Sequence, residues 1–181
     1  IDSSIIREQM HADIGPRMFA SESVLLQAML DQLVPDARPG SYALLLRIVA
    51  PLDIAIGRRY RLVWPAGWAM YVGSALGPGG LAARVRHHRH PAQRPHWHID
   101  ALRQHAPLDA LWFSYDAQRR ECLWAGLLGG VFGGQRPAFR FGASDCRCPS
   151  HLYNFAAPPD LNAFAAALHE HDPGHAPLQA C

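Results

Sequence analysis

Between residues 40 and 75 the chain sets short apolar runs against single polar positions and glycine or proline breaks, a pattern of strands. "SYALLLRIVA" (41–50) is almost wholly apolar and predicts a strand buried on both faces. "LDIAIG" (52–57) and "YRLVW" (60–64) alternate apolar with polar positions around Gly57, Arg58 and Arg59, which predicts a hairpin. "GWAMYVGSA" (67–75) predicts another strand, and "GPGG" (77–80) a turn. The period then changes. "LAARVRHHRH" (81–90) and "HWHIDALRQHA" (96–106) read as helices, the second turning Ile99, Leu102 and Trp97 inward. "LDALWFSYD" (108–116) predicts a strand, and "RRECLWAGLLGG" (119–130) a short helix closed by glycines. Beyond residue 138 the pattern gives one or two short extended pieces around a loop, then a final helix. Ahead of all this, "SESVLLQAMLDQLV" (21–34) spaces Leu25, Leu26, Met29, Leu30 and Leu33 as a helix does, and Pro35 to Gly40 breaks it.

These elements predict an α+β fold: a small, mostly antiparallel sheet flanked by helices, with an inserted hairpin and an added N-terminal helix. The hairpin-connected opening strands argue against a doubly wound parallel sheet. Residues 1–39 form an N-terminal extension and 40–181 the main domain on this reading. With 181 residues there is room for one well-filled core, and the 49% apolar content argues against disorder. No apolar run is long enough to cross a bilayer, so no membrane partner is expected. The opening residues lack the basic-then-apolar layout of a secretory signal. The expectation is a cytoplasmic protein in which Cys122, Cys146, Cys148 and Cys181 are reduced.

The net charge of +2 says little, but its distribution says more. Arg84, Arg86, Arg89 and Arg94 crowd together with His87 and His88 just after the tyrosine-glycine sequence "YVG" (71–73). A solvated helix face explains such a run equally well. Phosphodiester hydrolysis gives these residues another use. It needs an activated water, a cation to offset charge on the phosphate, and a carboxylate to hold a divalent metal. Arginine forks match phosphate oxygens, carboxylates suit magnesium or manganese, and a tyrosine can orient water. Tyr42 opens the first strand, Tyr71 lies near the end of a later one, Arg84 follows the glycine turn, and Glu121 starts a helix.

That layout resembles the GIY-YIG nuclease superfamily. "GSY" (40–42) and "YVG" (71–73) match its two tripeptides, with Ser41 in place of isoleucine and "LDIAIGRRYRLVW" lengthening the stretch between them. The phrases "YVGSALGPGGLAARVRHH", "HWHIDALR" and "FGASDCRCPSHLYNF" are more closely similar to its DUF123 branch, which sometimes accompanies endonuclease III-like DNA repair glycosylases. The resemblance implies an endonuclease acting on DNA, with RNA also open, dependent on magnesium or manganese, and with a repair glycosylase as a partner. It implies catalytic roles for Tyr42, Tyr71, Arg84, His88 and Glu121, with Glu121 the metal ligand. It further implies nucleic-acid contacts from Arg84, Arg86, His87, Arg89 and Arg94. The alternatives are a non-cleaving nucleic-acid-binding module of the same fold and a zinc-stabilised interaction domain.

A second concentration of chemistry lies in "HWHID" and "DCRCPSH". Cys146, Cys148 and His151 offer three zinc ligands, with His96, His98 or Cys122 as the fourth. Cysteines packed as small apolar residues are the plainer alternative. Another is a polar network in which His96, His98, Asp100, Asp145 and His151 line the same cleft as the tyrosines.

Overall fold

The first and last strands of the main sheet lie at its middle and at its edge, because the central position goes to the most apolar run. The computed structural model describes residues 34–181; the predicted helix at 21–34 lies outside them except for its last residue. Strands β1 (Gly40–Ile48), β4 (Gly67–Ala75), β5 (Leu108–Tyr115), β6 (Leu152–Phe155) and β7 (Gln179–Ala180) form one sheet in the order β6-β4-β1-β5-β7. Every pairing in it is antiparallel. Strands β2 (Leu52–Ile56) and β3 (Tyr60–Trp64) make the expected hairpin, which forms a separate two-stranded sheet. Helices α1 (Gly80–Arg89), α2 (His98–Arg103), α3 (Glu121–Gly130) and α4 (Leu161–His171) complete the fold. The α+β class and the largely antiparallel sheet are as the sequence predicts. No helix among the described residues is long and apolar enough to cross a membrane.

The sheet is covered on both faces, which is why β1 is apolar at nearly every position. Tyr42, Leu44 and Leu46 face a core built with Leu81 and Val85 of α1, Ile99 and Leu102 of α2, and Ile56 and Leu62 of the hairpin. Ala43 and Leu45 face the opposite core, with Trp124 and Leu128 of α3 and Phe164 and Leu168 of α4. Alternation along a strand thus becomes assignment to one of two layers. At the start of β1 the same rule sends Tyr42 toward α1, while the buried Ser41 hydroxyl accepts a hydrogen bond from the Arg120 N–H, 3.3 Å away, at the start of α3.

Two elements depart from expectation for visible reasons. Helix α2 begins at His98 rather than at residue 96, because the Asp100 carboxylate accepts the backbone N–H groups of His96 (2.9 Å) and Trp97 (3.0 Å). Trp97 is therefore extended and acts as the N-cap position. Strand β7 is unannounced in sequence. Leu111 and Cys181 exchange N–H···O bonds of 2.8 and 2.9 Å, which adds the tail to the edge of β5.

Helix α1 is held firmly at both ends. Its Leu81 and Ala82 N–H groups donate to the carbonyls of Arg38 (3.0 Å) and Asp36 (2.9 Å). Those amides, just after the "GPGG" turn, are thereby committed within the chain. Near the other end, the buried Arg103 of α2 donates to the His88 carbonyl at 2.9 Å. His87 Nε2 reaches the buried Asp100 carboxylate at 2.8 Å and ties the two helices together.

Asp100 is thus the polar fastening of the α1–α2 pair. Burial alone would push its carboxyl up, but the Trp97 N–H, His87 and the His96 N–H together hold it below the usual range. A depressed carboxyl stabilises the fold above its unfolded value, and that contribution disappears as pH falls through the folded value. Asp100→Ala is expected to cost about 2–3 kcal/mol at neutral pH in urea unfolding. The deficit relative to the parent protein should narrow on acidification through the carboxylate range.

Candidate functional site

The register of β1 against β4 pairs Tyr42 with Gly73 and Leu44 with Tyr71, so both motif tyrosines project from one sheet face at one end. Gly73 is needed there: a Cβ at this position would sit 2.5 Å from the Tyr42 hydroxyl oxygen. Across the cleft Gly142, at φ 68°, allows the loop to pass close to Tyr71, whose ring would lie 2.7 Å from an added Cβ. Each phenol therefore packs against a glycine supplied by a different segment.

Tyr42, Tyr71, Arg84 and Glu121 all line one cleft of about 250 Å³, together with Ser74 and Asp145. This is the convergence that the motif order predicts. Arg84 comes from α1 and lies 4.4 Å above the Trp97 ring. It makes no ion pair with a carboxylate among the described residues; the cleft carboxylates Glu121 and Asp145 lie against Arg119 instead. Glu121 is almost fully buried at the start of α3, and burial pushes its carboxyl up despite the nearby Arg119. One of its oxygens lies 3.3 Å from Arg119 Nε; the other, Oε2, is buried with no hydrogen-bond partner among the described residues. A buried, half-satisfied carboxylate is expensive to keep unless something cationic engages it.

His88 stands behind the cleft rather than in it. It is buried, with Nε2 3.0 Å from the Tyr42 hydroxyl. Burial, reinforced by His87, pushes the imidazole down to about 3, so it is neutral at physiological pH. Burial likewise pushes Tyr42 and Tyr71 up, and both phenols keep their protons. The Tyr42–His88 contact is a bond between neutral partners that fixes the position of the phenol oxygen.

Of the basic residues, Arg84, Arg86 and His87 share a second groove of about 450 Å³ with Gly77 and Trp97. The two depressions have Arg84 and Trp97 in common and so adjoin. Arg89 instead borders a separate depression beside Arg103 and Pro107. Arg94 is exposed in the loop before α2 and lines neither the cleft nor the groove.

The expected network of His96, His98, Asp100, Asp145 and His151 is not formed. Asp100 binds His87 and the backbone at α2. His98 Nδ1 lies 3.4 Å from the Gly142 N–H and packs edge-on to Phe141, while the exposed His96 ring lies against Trp97. Asp145 accepts from Arg119 at 2.9 Å, and His151 meets Cys146. Only Asp145 and His151 border the cleft. Residues two apart on a helix do not face one another, which separates His98 from Asp100. Sequence reasoning overlooked Arg119, Ser74 and Trp97 as site residues. Arg119 joins Glu121 to Asp145, and its position two before the helix-start glutamate was the available signal.

Residues 41–172 match the family described as "Domain of unknown function DUF123". The chain belongs to the DUF123 family. No curated protein and no solved structure matches it. The match takes in Tyr42, the "YVG" motif, α1 and the cysteine loop, so every residue of the cleft lies within the DUF123 domain.

The raised Glu121 carboxyl predicts a trade between the site and stability. A group whose folded-state value lies above its unfolded value adds stability only while protonated, and ionising it in the fold costs free energy. In chelator, Glu121→Gln is expected to raise Tm by a few degrees at about pH 8 and by nothing at about pH 4. Thermal unfolding across that range measures it; a loss of stability at the higher pH would show that Arg119 outweighs burial.

Proposed function

We propose that this DUF123 domain is a divalent-metal-dependent endonuclease that hydrolyses phosphodiester bonds in DNA, of the GIY-YIG type that its motifs resemble. The observation that carries the reading is the convergence of two neutral phenols, an unpaired guanidinium and a half-satisfied buried carboxylate on one cleft. The orphan Oε2 of Glu121 fits a hard cation such as magnesium or manganese, which takes carboxylate oxygen. The metal, when bound, supplies Lewis acidity toward the phosphate and lowers the pKa of the attacking water.

The chain's own groups do the rest. Arg84 donates paired hydrogen bonds to the non-bridging phosphate oxygens and offsets the charge that grows on them in the transition state. Its place on the Trp97 face limits the rotamers it samples, so less order is lost on binding. Tyr42 and Tyr71, protonated at working pH, orient water and phosphate rather than deprotonate them. His88 is a positioning residue that fixes the Tyr42 oxygen from behind. The adjoining groove with Arg86 and His87 receives the strand backbone as it leaves the cleft, through contacts that carry no sequence information. A role in DNA repair beside a glycosylase is part of this proposal, as is activity on branched substrates.

The test is incubation of the purified protein with single-stranded, duplex and branched DNA, and with RNA, in magnesium or manganese against chelator. Metal-dependent cleavage is expected, falling about 100- to 1,000-fold in Arg84→Ala. Glu121→Gln should abolish it. Salt-sensitive binding without cleavage in either metal would overturn the nuclease and leave a nucleic-acid-binding module.

A further inference from the structure

Glu121 and Asp145 face the cleft, and the residue following each of them does not. Cys122, in the first turn of α3, turns toward the 142–151 loop, where its sulfur interacts with those of Cys146 and Cys148. His151, buried at the start of β6, brings Nε2 to 3.4 Å from the Cys146 sulfur. One ligand atom from each of these four residues lies within 4.8 Å of all the others. None of the cysteines is in a disulfide.

We propose that Cys122, Cys146, Cys148 and His151 bind one structural zinc ion, which clamps the first turn of α3 to the loop opposite and so fixes the width of the cleft between Glu121 and Asp145. Tetrahedral zinc with ordinary bond lengths needs S···S edges of roughly 3.8 Å and S···N edges of roughly 3.6 Å. The observed Cys146–His151 separation is close to the second value, and the 4.8 Å limit on the whole set leaves only small adjustments. All four protein positions are filled, which describes a closed, structural site rather than a catalytic one.

The surroundings fit the complex. Three thiolates and a neutral imidazole on zinc carry one net negative charge. The Arg140 side chain donates to the carbonyls of Ala143 (2.8 Å), Cys146 and Cys148 (3.2 Å), curling the loop so that its sulfurs converge. Cys148 N–H reaches the Cys146 sulfur at 3.4 Å, a contact that also favours thiolate. The N-terminal turn of α3 adds its dipole behind Cys122. His96 and His98, the other candidates for a fourth ligand, are engaged elsewhere and do not join the set. The site differs from the magnesium or manganese position: soft sulfur selects zinc, while the Glu121 oxygen suits a hard cation.

Elemental analysis of the intact protein, purified without chelator, is expected to give one zinc per chain. Exchange for cobalt(II) should give the intense ligand-field bands of tetrahedral coordination together with a sulfur-to-cobalt charge-transfer band. Cys148→Ser and His151→Ala should lose the zinc, whereas Cys181→Ser and Glu121→Gln keep it at full occupancy. The cobalt spectrum of the parent protein stands even if the ligand variants fail to fold. Absence of zinc and of any tetrahedral cobalt spectrum, a disulfide among the three cysteines, or an iron–sulfur chromophore would each overturn the proposal. Zinc retention by Glu121→Gln separates this site from the nuclease reading, since that variant removes cleavage and leaves the clamp.

Discussion

Two phenols reach one end of the sheet because β1 and β4 run antiparallel in a single register, with Tyr42 across from Gly73 and Tyr71 across from Leu44. Sliding β4 by one residue against β1 would send Tyr71 through the sheet into the α3–α4 core while Tyr42 stayed, and Gly73 would no longer spare the Tyr42 hydroxyl. The two-sided burial of β1 is what makes the register so strongly specified. Arg84 and Glu121 are placed by helices packed against this same pair of strands, α1 from one face and α3 from the other. The cleft is where the two layers meet beyond the strand ends.

The site includes arrangements that a protein selected for stability alone would avoid. Among the described residues, Glu121 Oε2 and, behind Tyr42, His88 Nδ1 are buried without a hydrogen-bond partner, as are atoms of Trp64, Arg103 and Ser114 away from the cleft. Several arginines pair with carboxylates, Arg61 with Asp53, Arg120 with Asp116, and Arg119 with both Glu121 and Asp145. Arg84 is left to stack on Trp97. A guanidinium without a carboxylate and a carboxylate with one free oxygen on the same cleft are what the proposed metal–phosphate ligand would use. The surrounding structure resists their collapse, with Asp100, Arg103 and the 36–38 segment fixing α1.

Much of this could be read from the sequence. Strand and helix periods are legible between residues 40 and 130, less so around the 138–155 loop, and both motif tyrosines reach the cleft. What escaped depends on side-chain direction and on tertiary pairing. The short tail strand β7 exists because the edge of β5 had backbone groups to satisfy, and nothing in "LQA" signals that. His98 and Asp100 looked like neighbours in sequence, but the helical turn between them sends one toward Gly142 and the other toward His87. Cys122 stood far from the cysteine loop in the chain, and only the packing of α3 selects it over two histidines. Arg119 carried no motif, though it bridges both acidic residues of the cleft.

The account stands or falls on whether the Glu121 side of this cleft is an ion site. Anomalous diffraction from crystals grown with manganese and a short oligonucleotide tests it most directly. The account predicts a manganese peak in contact with the Glu121 carboxylate, with a phosphate between that ion and the Arg84 guanidinium. A cleft that stays free of manganese at saturating concentration, with the oligonucleotide seated on another face, would contradict it.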